Sequence, residues 1–130
     1  MNKRFGWAWV LLTLALALHV TDEAATDFLS VYNATVRAIR EQIPWLPLPT
    51  CTFPVWLGGL ILAVTVLLAL SPLAFRGARW LRILSMPYGM IMLLNGLGHV
   101  ASSLYMGRFM PGVYSSPLLL AASVYLLLSA

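Results

Sequence analysis

Four stretches of the chain run without a formal side-chain charge, residues 5–20, 51–75, 83–107 and 109–130. The last three are each long enough for the ~20 residues an α-helix needs to cross ~30 Å of hydrocarbon. The first is shorter but can continue as helix into residues 21–38. Nothing alternates with period two as a barrel strand does, and a backbone in lipid must satisfy its own N–H and C=O groups, so these runs predict helices. Taken to their natural breaks they give spans over residues 5–24, 53–75, 82–106 and 110–129. The expected fold class is all-α: one integral membrane four-helix bundle over residues 1–130. Residues 25–52 are expected on the outer side and partly helical. Phe28, Val31, Tyr32, Val36 and Ile39 recur at helical spacing, after which Pro44, Pro47, Pro49 and Pro54 forbid a regular helix. That segment either extends the first helix or lies on the membrane surface. A basic start at Lys3 and Arg4, an apolar core and Ala15-Leu16-Ala17 also fit a cleavable signal peptide; a retained first helix is the favoured reading.

Composition turns this pattern into a solvent assignment. Apolar residues make up 61% of the chain and charged residues 9%, against roughly 25% charged in soluble domains. Twelve charges cannot cover a soluble globule of this size, and a soluble fold is excluded. The net charge of +4 does not point to nucleic acid, because the basic residues stand singly among apolar runs with no stripe to track phosphates. They report orientation instead. Lys3, Arg4, Arg76, Arg79 and Arg82 fall on one side, cytoplasmic by the positive-inside rule, which places both termini inside a cell's inner or plasma membrane. Trp7, Trp9, Trp45, Trp56 and Trp80 lie near predicted span ends, where an aromatic belt is expected. The single cysteine, Cys51, excludes an internal disulfide and a multi-thiolate metal site.

With so few ionisable groups near the spans, each is a candidate for function. His19, Asp22 and Glu23 stand at i, i+3 and i+4, with Asp27 a turn further on; Asn95 and His99 stand at i, i+4 in the third span. Counting ~1.5 Å per residue from the cytoplasmic edge puts His19 about 18 Å up and His99 about 24 Å up, both in the outer half of the bilayer. Gly96, Gly98 and Ser102 flank His99, and small residues allow close helix approach. Two imidazoles with carboxylates can hold a divalent metal such as zinc or iron, or a carboxylate-bridged pair, and in low dielectric they also suit acid–base chemistry or a proton relay. The bland alternatives are that His19 and the acids mark where the first helix leaves the membrane, and that Asn95 is hydrogen-bonding glue between helices. The pairs Met86/Met90 and Met106/Met110 fit packing better than a soft-metal site. Asn33-Ala34-Thr35 is a glycosylation sequon that carries meaning only in a eukaryotic lumenal loop. Residues 110–117, with Pro111-Gly112 followed by Tyr114, Ser115 and Ser116, either begin the last helix or line a wet cavity with irregular backbone.

His19-Val20-Thr21-Asp22-Glu23 resembles the signature of the HXXEE-motif membrane proteins, with Asp22 where that signature has its first glutamate. The later Asn95-x-x-x-His99 and the Pro111-Gly112 start of the last span are similar to other recurrent features of that family. The resemblance runs in order along the chain. It implies a small helical membrane protein and, by position, His19, Asp22, Glu23, Asn95 and His99 as functional residues; it implies no particular reaction.

The expectation is a membrane-embedded enzyme acting on a membrane lipid or other hydrophobic small molecule in the outer leaflet. His19, Glu23 and His99 are expected as catalytic residues and metal ligands, and Asp22 as a ligand or an orienting partner. Asn95, Asp27, Tyr114 and Ser115 are expected around them or against substrate. The reaction is a metal-dependent hydrolysis or oxidation, or a metal-free isomerisation. The alternative is a non-catalytic transporter or ion- or proton-conducting subunit using the same residues, which would favour a homo-oligomer. A third is a structural accessory protein that associates through its glycine and methionine faces.

Overall fold

The computed structural model describes residues 2–130, with no strand among the described residues. Its helices are α1 (Lys3–Ala25), α2 (Phe28–Gln42), α3 (Phe53–Ala69), α4 (Ser71–Phe75), α5 (Arg79–Met106) and α6 (Ser116–Ser129). Lys3–Ala25, Phe53–Phe75 and Arg79–Met106 are each long and apolar enough to cross a membrane.

Asn2 starts α1, its side-chain oxygen accepting from the Phe5 N–H at 3.1 Å. From there Phe5, Trp9, Leu12, Leu16 and Val20 repeat every three or four residues and are all buried, forming the helix stripe around which the others pack. His19 and Glu23 continue that stripe, so the polar pair faces the interior for the same geometric reason as the leucines. Helix α1 packs against α6, α4 and α3, and α5 packs mainly against α6. Two glycines of α5 allow that last approach, Gly89 lying against Leu127 and Gly96 against Leu120. Gly98, by contrast, faces open space.

For helices apolar enough to cross a membrane, burial against one another would add little in hydrocarbon as apolar as leucine, and packing and hydrogen bonds across helices count for more, at roughly 0.6–2 kcal/mol per bond. Trp9 Nε1 donates to the Leu67 carbonyl at 2.8 Å, and the Thr13 and Tyr88 hydroxyls pair at 3.1 Å. These bonds tie α1 to α3 and α5. Trp9 therefore corrects the aromatic-belt expectation: it is fully buried, whereas Trp7, Trp45 and Trp80 are exposed. Helix α3 has no buried residue, which suits a segment surrounded by lipid on most sides. It breaks at Leu70, because Pro72 has no N–H to offer the carbonyl four residues back.

Residues 25–52 neither extend α1 nor remain loop throughout. Asp27 adopts a left-handed conformation (φ 59°) that ends the first helix direction, and α2 follows as a separate helix with Leu29 and Val36 buried. The proline-rich strap after α2 is pinned back by Asn33, whose amide pairs with both the N–H and the carbonyl of Cys51 at 3.0 and 2.8 Å. The sequon asparagine is thus a structural clamp. The last helix begins at Ser116 rather than at residue 110. Gly107 closes α5 in the left-handed region (φ 65°), and Gly112 turns the chain again at φ 87°, which keeps residues 107–115 non-helical.

Candidate metal centre

Near the end of α1, His19 and Glu23 sit one turn apart, and α5 brings His99 against them. The two imidazoles meet edge to face with ring centroids 4.7 Å apart. Glu23 Oε1 lies 3.0 Å from His19 Nε2 and 2.9 Å from His99 Nε2. All three residues are buried, at 0%, 5% and 7% exposure for His19, Glu23 and His99. The convergence expected from equal membrane depth is therefore present as direct contact.

The neighbours fix which imidazole nitrogens carry protons. His99 Nδ1 lies 2.8 Å from the Pro111 carbonyl, which can only accept, so Nδ1 bears a hydrogen, and in the neutral ring the lone pair is at Nε2, facing Glu23. For His19 the same result comes through a relay. Ser115 Oγ has one hydrogen, and the Asp22 carboxylate at 2.7 Å is a stronger acceptor than the Gly112 carbonyl at 3.4 Å. With its hydrogen given to Asp22, Ser115 Oγ accepts from His19 Nδ1 at 2.7 Å, and the neutral His19 ring likewise has its lone pair at Nε2. The Ser115 N–H holds the same Asp22 oxygen at 2.9 Å. With both rings neutral, two lone pairs and a carboxylate oxygen face one another in a buried space.

Such a group is completed by a proton or by a metal ion. One proton on His99 Nε2 satisfies its bond to Glu23 but leaves His19 Nε2 buried without a hydrogen-bond partner, its 3.0 Å approach to Glu23 being poorly aligned. A metal ion would satisfy all three at once. The three ligand atoms lie within 4.8 Å of one another, and the donors of a tetrahedral ion bound at ~2.0–2.1 Å stand roughly 3.3 Å apart. The buried His19–Glu23–His99 group could therefore hold a metal ion, with each imidazole oriented from behind by its other nitrogen, as metal-binding histidines usually are.

The remaining expected residues separate cleanly. Asp22 stands beside the ligands rather than among them: it is turned ~100° from Glu23 around α1, and its carboxylate bonds Ser115. Asp27 lies outside the site, accepting from Ser30 at 2.9 Å. Tyr114 is 64% exposed and stacks on Phe109. Asn95 does not touch the ligand atoms but lines a pocket beside His99. Sequence reasoning missed the roles of the Pro111 carbonyl, Gly112 and Phe28. Phe28 packs its ring 5.3 Å from that of His99 and 6.2 Å from that of Trp56, covering the centre from α2 and α3. The Pro-Gly pair was the available signal for the first two.

No curated protein and no solved structure matches the chain. A family model described as "Protein of unknown function with HXXEE motif" matches residues 9–126, a stretch that contains every residue of the centre. The chain belongs to the HXXEE family, and the matched stretch includes His19 and Glu23, which with His99 could hold a metal ion.

Proposed function

We propose that the protein is a membrane-embedded, metal-dependent enzyme that acts on a lipid or other hydrophobic substrate. The observation that carries this reading is the convergence of two imidazole nitrogens on one buried carboxylate, with an orphaned Nε2 at His19. His19, Glu23 and His99 hold the ion, and zinc or iron suits two imidazoles and one carboxylate with coordination positions left over. Such an ion supplies Lewis acidity toward a carbonyl or an activated water, or, as iron, oxidation chemistry. The chain's own residues do the rest. Asp22 and Ser115 hold the His19 ring, Pro111 holds the His99 ring, and Glu23 can ligate or move a proton at its carboxylate. The surrounding helices keep bulk water away.

In this reading α1, the α3–α4 segment, α5 and α6 form a four-span bundle with both termini cytoplasmic, supported by Lys3, Arg4, Arg76, Arg79 and Arg82 at one end. The centre then lies in the outer leaflet. Elemental analysis of the purified full chain tests the proposal: about one equivalent of zinc or iron is expected, and loss of it in His99→Ala. Wild-type protein that stays metal-free after incubation with either ion overturns the metal mechanism.

A further inference from the structure

Beside His99 the surface of α5 opens into a pocket of about 250 Å³ lined by Phe28, Leu94, Asn95, Gly98, His99 and Ser102. Asn95, Gly98, His99 and Ser102 follow at i, i+3, i+4 and i+7, so they form one stripe of the helix. The side-chain hydrogen bonds of α5 belong to Ser85, Tyr88, His99 and Ser103; Asn95 and Ser102 have none among the described residues. In a helix that crosses lipid, an amide without a partner costs several kcal/mol, so the pocket favours an occupant that brings oxygen to Asn95 over plain hydrocarbon. Gly98 leaves the floor open, since a Cβ there meets nothing within 4 Å. Ile91 and Leu94 continue from Asn95 toward the membrane interior as an exposed apolar strip.

We propose that this pocket is the substrate subsite and that it takes an acyl lipid. The lipid carbonyl accepts from the Asn95 amide, its chain lies along Leu94 and Ile91, and the Ser102 hydroxyl, two turns further out, meets the polar end. Phe28 roofs the carbonyl and keeps water from it. The inference rests on the metal-centre reading, because His99 is shared between pocket and centre.

The test is photo-crosslinking of the full chain in phosphatidylcholine nanodiscs doped with a phosphatidylcholine carrying a diazirine beside its ester, with labelled positions mapped by mass spectrometry. Residues 94–102 are expected to label more heavily than the exposed α3 residues Val55, Ile61, Leu62 and Val66. Gly98→Leu fills the pocket and is expected to reduce that labelling at least about fivefold, leaving α3 unchanged. Asn95→Leu, which keeps the side-chain size, is expected to do the same for the ester probe but not for an ether-linked probe without the carbonyl. Equal labelling of α3 and α5, or labelling that neither substitution reduces, overturns the subsite. Metal content of the same samples keeps the two readings apart. Bound metal with uniform labelling removes the subsite alone, whereas pocket-confined labelling without metal removes the metal centre alone.

Discussion

Gly112 packs against the imidazole of His99, so closely that a methyl group on its Cα would overlap the ring. Its φ of 87° is also one that residues with a side chain rarely adopt. Gly112→Ala therefore adds a backbone penalty of about 1–2 kcal/mol and pushes His99 off its place between Pro111 and Glu23. Metal affinity should fall roughly 10–100-fold, as when an orienting partner is lost, and chelator competition measures it. Affinity equal to wild type would show that His99 tolerates displacement and does not define the centre.

Ser115→Ala removes the hydroxyl that links His19 Nδ1 to Asp22 Oδ2. The expected drop in metal affinity is again about 10–100-fold, without loss of the ligands themselves. Asp22→Asn should weaken binding through the same chain, so the double variant should be little worse than Ser115→Ala alone. Fully additive losses would mean that Asp22 acts on the ion by a separate route.

Trp9→Phe tests how the helices are held. The ring remains, but the Leu67 carbonyl loses its donor, and stability should fall by about 1 kcal/mol in a reversible denaturation experiment with metal content unchanged. A tryptophan in a membrane-surface belt would give almost no change.

Cys51 reports orientation without any engineered label. It is partly exposed, and Asn33 fixes its backbone on the strap between α2 and α3. With both termini cytoplasmic, a membrane-impermeant maleimide should modify Cys51 in intact spheroplasts; modification only after permeabilisation would invert the topology.

Much of this arrangement was legible because membrane chains write their layout in charge. The uncharged runs located α1, α3 and α5, and the spacing of His19 and Glu23 put both on one stripe with Phe5 and Trp9. Depth counting brought His99 to their level. What sequence could not convey was mostly backbone and neighbour identity. The acceptor for His99 is a carbonyl, which any residue at Pro111 would carry, and its availability depends on a turn set by Gly112. Trp9 looked like a belt residue because its distance from the chain end was visible while its partner, the Leu67 carbonyl, was not. Asp22 and Glu23, adjacent and chemically alike, were separated only by the rotation of the helix.

Helix α6 has 14 residues, about 21 Å of rise, some 9 Å short of a typical hydrocarbon core. The non-helical residues 107–115 lead into it, held to the bundle by Met110 to Ser103, Pro111 to His99, and Ser115 to Asp22 and His19. The centre is thus also the fastening of the segment that leads into α6. In the proposed four-span arrangement, a change of bilayer thickness would load this segment first and reach the two imidazoles through Pro111 and Ser115.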